Sequence, residues 1–296
     1  MRTLIAISAH GSFTMAARQI GLSQPTVHRA ARSLEETAGV VLFRATSTGV
    51  DLTQAAQALV LGAKLAQAEI RQGLEEIAHM QGEERGTFVL GSLPLARTAI
   101  VPKAVHAMIS AVSGVQIRLV DGRYADLLRS LRQGDMDCMI GALRDPPPAD
   151  DIVQERLFDD RMAIVAHPSH PLASKPDLTL EDTLAYPWVA PPINTPAGHY
   201  LAETLRIRER GETPVRLVSS SPVMLRGILA EGPYVSIISR QQIKVELRDG
   251  HIAPLGIALT GDARAIGLTT RAGWRPTKVQ ARFIGFLRAS ALQEAL

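Results

Sequence analysis

A single cysteine, Cys138, stands among 296 residues. One thiol closes no internal disulfide and builds no thiolate zinc site, so disulfide scaffolds are excluded and a reducing cytoplasm is the expected setting. Long hydrophobic runs are missing as well. A membrane-spanning helix needs about 20 consecutive apolar residues, and Arg, Asp, Gly or Pro interrupts every apolar stretch. The opening segment, Met1 to His10, holds only the short run Leu4 to Ile7. A secretory core needs roughly 7 to 15 apolar residues, so neither a leader peptide nor a membrane partner is expected. Nor is there a large excess of one charge: 32 Lys and Arg face 29 Asp and Glu, for a net +3. That balance excludes a histone-like tail, and any surface for nucleic acid has to be concentrated by a motif.

Catalytic signatures are absent too. No Gly-x-Ser-x-Gly elbow occurs, and Gly227 to Gly232 lacks a phosphate-binding glycine pattern. His167 and His170 lie close together, but Pro168 and Pro171 disfavour a helical metal pair and no acid or thiol partner is evident nearby. Asp135 and Asp137 flank Met136 ahead of a strand and read as structural acids, and Cys138 reads as a core residue. No catalytic residue, metal or cofactor is expected, and the chain does not read as an enzyme.

The 46% hydrophobic content suffices for two or three domains, each near the usual ~100 to 150 residues. Up to about Met80 the chain reads as helical, with one short strand near Val40 to Phe43. From Thr87 onward, short β-rich runs alternate with helical segments: Thr87 to Leu90, Gln116 to Val120, Met136 to Gly141, Met162 to Ala166, Trp188 to Ala190, Val215 to Val218 and Val235 to Ile238. That alternation predicts α/β units around a largely parallel sheet. The charged, glycine-bounded segment Gly82 to Gly86 marks the boundary.

The N-terminal helices carry readable punctuation. Gly21 suits a left-handed helix end, Ser23 a cap, and Pro25 the first turn of the next helix. Two helices joined by so short a turn make a helix-turn-helix. The second, Gln24 to Thr37, places Val27, Ala30, Ala31 and Leu34 on one face. Gln24, Thr26, His28, Arg29, Arg32 and Ser33 fall largely on the other. Hydrogen-bonding and cationic side chains on an exposed helix face suit the major groove, Arg for guanine and Gln for adenine. Val40 to Leu52 reads as a small hairpin with the turn Ser47-Thr48-Gly49, a wing that sets Arg44 against phosphates.

The run GSFTMAARQIGLSQPTVHRAARSLEETAGVVLFRATSTGVDLTQAA resembles the winged helix-turn-helix of LysR-type transcriptional regulators. The family's SQPxVSxxIxxLE, GxxLFxR and LTxAG segments are matched in order and spacing by Ser23, Gln24, Pro25, Val27, Leu34, Glu35, Gly39, Leu42, Phe43, Arg44, Leu52 and Thr53. His28 stands where the family usually has Ser or Thr, and Ala56 where it usually has Gly. The stretch ahead of Gly11 is shorter than the family's first helix.

From Leu59, positions Ala63, Ala66, Ile70, Gly73, Ile77 and Met80 alternate four and three apart in a heptad-like seam, with Gln67, Glu69, Arg71, Gln72, Glu75 and Glu76 filling much of the remainder. The resemblance implies that this is the linker helix of an antiparallel dimer. Thr87 to Leu296 is similar to the same family's effector-binding domain, a periplasmic-binding-protein type fold, through LRQGDMDCMIG, LFDDRMAIVAHPSHPLA, PWVAPP and ARAIGLTTR. PWVAPPINTP with IGLTTR is most similar to the branch that includes the galactose-binding-protein regulator type.

In open α/β sheets, ligands lie beyond the carboxyl ends of the strands, near helix N-termini. Four loops meet that description: Ser92-Leu93-Pro94, Gly122-Arg123-Tyr124, Asn194-Thr195-Pro196 and Ser220-Ser221-Pro222. Free N–H groups there favour a carboxylate, phosphate or sugar oxygen, with Arg97 and Arg123 adding charge. The implied architecture is multidomain. An all-α winged helix-turn-helix over 1–53 is followed by a linker helix over 54–84 and an effector domain over 87–296, whose subdomains cover about 87–158 with 265–296, and about 159–264. The implied protein is a cytoplasmic, sequence-specific DNA-binding regulator. Its partners would be double-stranded promoter DNA, a small organic effector such as a sugar or carboxylate, its own copies as dimer or tetramer, and RNA polymerase. The competing reading, a solute-binding or transport protein, leaves the first 53 residues without a purpose.

Overall fold

The computed structural model describes residues 1–98, 100–209, 213–261 and 263–295. Three helices open the chain, α1 (Arg2–His10), α2 (Phe13–Ile20) and α3 (Gln24–Ala38), followed by the antiparallel hairpin β1 (Phe43–Thr46) and β2 (Gly49–Leu52). The strand expected at Val40 to Phe43 therefore begins only at Phe43. The core of this unit is small: Ala6, Ile7, Ala16, Ala17, Val27 and Ala31, closed by Phe13, Ile20, Phe43 and Val50. Ala30, expected on the packed face, is exposed. Short alanines on α2 bring the helices close, so only the narrow stripe of Val27 and Ala31 is covered.

Helix α4 (Gln54–Met80) starts at Thr53, whose hydroxyl accepts from Ala56 N–H at 3.2 Å and donates to Val41 O at 2.9 Å. It leads to the first α/β lobe: β3 (Arg85–Ser92), α5 (Ile100–Ala111), β4 (Gly114–Asp121), α6 (Tyr124–Arg132), β5 (Cys138–Ala142) and β6 (Ile152–Asp160). The second lobe follows as β7 (Met162–Ala166), α7 (Leu180–Thr183), β8 (Trp188–Ala190), α8 (Pro196–Thr204), β9 (Val215–Val218), α9 (Pro222–Glu231), β10 (Val235–Ser239), α10 (Lys244–Arg248) and β11 (Ala253–Pro254). The chain then returns to the first lobe through β12 (Arg264–Arg271) and α11 (Lys278–Ala295).

Each lobe is built on a five-stranded sheet, ordered β4-β3-β5-β12-β6 and β11-β7-β10-β8-β9. Both sheets are mixed. β3 pairs in parallel with β4 and β5, but β12 runs antiparallel to β5 and β6. In the second lobe β7 runs antiparallel to β10 and β11. In each sheet four strands share one direction and one is reversed, β12 in the first lobe and β7 in the second, so the expected largely parallel sheet holds in strand direction with one antiparallel strand set into each. β6, β11 and β12 were not among the strands expected.

Alternate residues of one strand bury against different helices, as the strand period of two requires. Phe88 and Leu90 face α5 and α11, where the Phe88 and Phe283 rings meet at 4.7 Å, while Val89 faces Leu127 and Leu131 of α6. In β7, Met162 and Ile164 pack with Trp188 and Leu201, and Ala163 and Val165 with Leu229 and Ile252. Burial on both faces explains why these strands read as unbroken apolar runs. Cys138, at the start of β5, is fully buried as well, and that burial pushes its thiol well above the ordinary range.

Candidate nucleic-acid interface and effector cleft

The helix-turn-helix is set by its caps. Gly21 takes φ +69°, a left-handed conformation that glycine reaches without strain. Ser23 Oγ then accepts from Thr26 N–H at 3.3 Å and shares a hydrogen bond with Thr26 Oγ1 at 2.8 Å, with Pro25 in the first turn. Those two hydroxyls are engaged in starting α3. Val27 and Ala31 turn inward, while Gln24, Pro25, Arg29, Arg32 and Ser33 are exposed. His28 is half-buried. Its ring lies 4.1 Å from that of Phe13, and its Nε2 is 3.5 Å from Gln24 Nε2. One ring face is thus covered by α2, and the residue is a link between the two helices as well as part of the outer face.

The wing is fastened to the same frame. Glu35 Oε1 accepts from the N–H groups of Leu42 at 2.8 Å and Phe43 at 3.1 Å, bridging α3 to the start of β1. At the hairpin tip, Val50 N–H donates to Gly11 O at 2.8 Å, and a Cβ on Gly49 would stand 2.2 Å from that same oxygen. Only glycine fits. Arg44 stands opposite Asp51 in the ladder with its side chain in solvent. Among the described residues, no carboxylate lies within ion-pair distance of Arg29, Arg32 or Arg44.

Helix α4 divides the expected seam between two surroundings. Ala63 packs with Leu4 and Val60 against the winged unit, whereas Ile70, Ile77 and Met80 are exposed, joined by Leu74, which the seam did not include. Several polar residues assigned to the outer remainder instead face the first lobe. Gln72 is buried and its Nε2 donates to Gln280 Oε1 at 3.0 Å. Arg71 reaches Asp137 at 2.8 Å, Glu75 at 3.1 Å and Thr87 O at 3.1 Å. Burial lowers the Arg71 guanidinium, but the charges on Asp137 and Glu75 more than offset this and raise it. Asp137 also accepts from Val89 N–H at 2.7 Å, and Lys64 pairs with Asp135 at 2.7 Å. Both acids are therefore structural: they dock the helix on the lobe.

The four effector loops all leave the carboxyl ends of strands, β3 and β4 in the first lobe and β8 and β9 in the second. Ser92 is buried. Its carbonyl accepts from Arg97 Nε at 3.1 Å and Nη2 at 2.8 Å, and Arg97 also pairs with Asp121 at 3.0 Å. Leu93 packs against the position of Gly141, where a Cβ would meet it at 2.4 Å. Gly122 lies against Leu127, and Arg123 points to solvent in a pair with Asp126 at 2.8 Å. Asn194 and Ser220 are exposed. Thr195 caps α8, accepting from Gly198 N–H at 3.1 Å and donating to Pro192 O at 2.7 Å, and Ser221 caps α9, accepting from Met224 N–H at 3.2 Å.

The lobes touch where β3 and β10 end. Thr98 Oγ1 donates to Gln241 O at 2.7 Å, and the short helical turns Pro94–Ala96 and Gln241–Ile243 pack together. Where the chain crosses between lobes, Asp160 is buried and accepts from Arg264 at 2.8 and 2.9 Å and from Ser239 Oγ at 2.8 Å. At the end of β5, Arg144 lies over the Tyr124 ring, 4.3 Å from its centre. Burial raises the Tyr124 phenol against the opposing pull of Arg144. Thr98, Gln241, Asp160, Arg264 and Arg144 were all missed by sequence reasoning. The available signal was position alone: Asp160, Arg144 and Gln241 lie at or just past strand ends, Thr98 in the loop after β3 and Arg264 at the start of β12. Two cavities lie elsewhere: about 880 Å³ between α4 and the β3–β4 edge, and about 530 Å³ bordered by His167, Arg226, Glu246 and His251. None of the nine effector candidates lines either. His170 is buried on Tyr186, its Nδ1 accepting from Leu172 N–H at 3.0 Å, and burial lowers it.

Two family models match. Residues 1–57 match the bacterial regulatory helix-turn-helix protein of the lysR family, and residues 81–292 match the LysR substrate binding domain. The chain is 31% identical to the HTH-type transcriptional regulator GalR of Pseudomonas putida over 94% of its own length and 70% of that protein's. It is 26% identical to the regulator PcaQ of Agrobacterium fabrum, over 94% and 89%. Among solved structures it is similar to a full-length OxyR variant from Pseudomonas aeruginosa, with TM-score 0.69, 18% identity, and 98% and 92% of the two chains covered. It is also similar to full-length CbnR solved on its target DNA, with TM-score 0.64, 20% identity, and 98% of each chain covered.

Proposed function

The chain belongs to the LysR family of DNA-binding transcriptional regulators, and from that premise we propose that it is a homo-oligomeric, cytoplasmic regulator whose promoter binding responds to a small molecule held between its two α/β lobes. The division is a winged DNA reader over 1–53, a linker over 54–84 and an effector body over 87–296. Helix α3 enters the major groove with Gln24, Thr26, His28, Arg29, Arg32 and Ser33 toward base edges, positioned by Ser23 and Pro25, and Arg44 on the wing meets phosphate. The exposed stripe Ile70, Leu74, Ile77 and Met80 covers itself against a second copy of α4, pairing two readers at half-sites about one helical turn of DNA apart. The effector sits among Ser92, Leu93, Arg97, Gly122, Arg123, Asn194, Thr195, Ser220 and Ser221. By favouring one arrangement of the lobes it shifts the placement of the dimers, and with it DNA bending or contact with RNA polymerase.

One observation carries the reading. Three arginines that have no carboxylate partner among the described residues stand on the outer face of α3 and on the wing, on a frame whose caps and clamps fix the helix and the hairpin. The experiment is a mobility shift on the DNA upstream of the protein's own gene. Arg32→Ala and Gln24→Ala should each weaken binding by about tenfold or more, the cost of one good base contact. Unchanged binding in both variants sinks the α3 assignment.

A further inference from the structure

We propose that Arg144, laid on the Tyr124 ring, is the anion-binding side chain of the effector cleft and that the effector is a small organic carboxylate. This rests on the reading of the chain as an effector-responsive regulator. Three arginines stand on the loops that leave β3, β4 and β5. Arg97 is neutralised by Asp121 at 3.0 Å, and Arg123 by Asp126 at 2.8 Å. Arg144 alone of the three has no carboxylate within ion-pair distance among the described residues. Its place is nonetheless fixed. Gln154 accepts from Arg144 N–H at 2.9 Å and donates to Arg144 O at 2.8 Å, clamping the backbone on both sides. The guanidinium then rests 4.3 Å above the Tyr124 ring centre, and both residues are half-buried. An aromatic face orients a cation without cancelling its charge. A half-buried cation held in one orientation is set up for an anion supplied from outside the chain.

The surroundings select the class of anion. A guanidinium fork matches a carboxylate through two parallel hydrogen bonds. Tyr124 belongs to an apolar cluster with Leu93, Val120, Leu128 and Ala149, which suits an organic body beside the charge. One cation balances a monoanion, whereas a phosphate dianion asks for more positive charge than these loops leave free. Tyr124 shares its apolar cluster with Leu93 at the start of the β3 loop, and that same loop runs on to Thr98, whose hydroxyl donates to Gln241 O of the second lobe.

The full-length protein is tested by thermal melting and by promoter-DNA anisotropy with the monoanions sodium benzoate and sodium butyrate, and with benzamide and inorganic phosphate, each to about 10 mM, a level at which even weak binding raises the melting temperature. Benzoate or butyrate should stabilise the wild type and change its promoter affinity, with benzamide inert. Arg144→Ala, and the near-isosteric Arg144→Gln should Ala fold poorly, should weaken the carboxylate effect about tenfold or more, the loss of a charge-assisted bond. Promoter binding without ligand should remain. Stabilisation by benzamide equal to that by benzoate, stabilisation by phosphate alone, no stabilisation by either carboxylate, or full carboxylate binding in a folded Arg144 variant each overturns the proposal. A wild-type chain that binds no promoter DNA sinks the regulator reading instead, while the melting curves still decide the role of Arg144.

Discussion

The winged unit and the α/β body use the same residue type in opposite ways. Residues 1–57 carry five arginines against Glu35, Glu36 and Asp51. Among the described residues none of Arg29, Arg32 and Arg44 has a carboxylate partner, and Glu35 is occupied with the backbone of the wing. In the α/β body, arginines are paired: Arg97 with Asp121, Arg264 with Asp160 and Arg288 with Glu155, and Arg71 of the linker helix reaches Asp137 of the body. Paired arginines hold parts of one chain together. Unpaired ones on a rigid frame are left for another molecule, which is how a chain of net charge +3 can carry a basic surface at all. Of the three arginines on the loops that leave β3, β4 and β5, Arg144 is the one without a carboxylate partner among the described residues, and it lies where a ligand is expected.

The contrast is most easily broken at Asp160. Its side chain is fully buried against an Arg264 that is only 18% exposed, so Asp160→Ala leaves a largely desolvated cation and should cost about 3 to 5 kcal/mol in urea unfolding. Arg32→Ala, with nothing to lose in the fold, should stay within about 0.5 kcal/mol. Equal costs would erase the distinction between the two sets of arginines. Next in size is Ile77→Asp on the bare stripe of α4. Burying a carboxylate in an interface should weaken dimerisation by more than about 100-fold in sedimentation while leaving the melting of the lobes unchanged. An unaltered dimer would move the interface elsewhere.

Smaller effects sharpen the picture. Thr195→Ala removes the cap of α8 and should cost about 1 kcal/mol, read as faster amide exchange across 196–204, with promoter binding intact. His170 gives the least. Burial favours its neutral form, so the stability it contributes is present above the ordinary histidine range and is lost as pH falls through and below it. His170→Phe should flatten that acid limb of the melting-temperature profile, and a limb unchanged in the variant assigns it to other groups.

The N-terminal unit was legible because its instructions are local. Gly21, Ser23 and Pro25 specify a turn and a cap within a few residues, and Val27 with Ala31 marks the inward stripe. The mixed sheets were not legible in the same way. β12 pairs with β5 and β6 from more than 100 residues away, and no local pattern announces an antiparallel return. The seam of α4 misled in part for a related reason. Arg71, Gln72 and Glu75 look like a solvated face until Asp137, Thr87 and Gln280 arrive from the folded lobe. Effector loops were found from strand ends and capping residues. Which arginine among them stays unpaired depends on Asp121 and Asp126, and that becomes visible only once the loops are folded together.

The most direct test is the salt dependence of promoter binding. Log affinity should fall linearly with log salt, and a variant with Arg29, Arg32 and Arg44 all changed to Ala should give a slope shallower by about 1, the share of Arg44 on phosphate, with sequence preference lost and the melting curve of the wild type retained. An unchanged slope with unchanged affinity would contradict the assignment of these arginines to DNA.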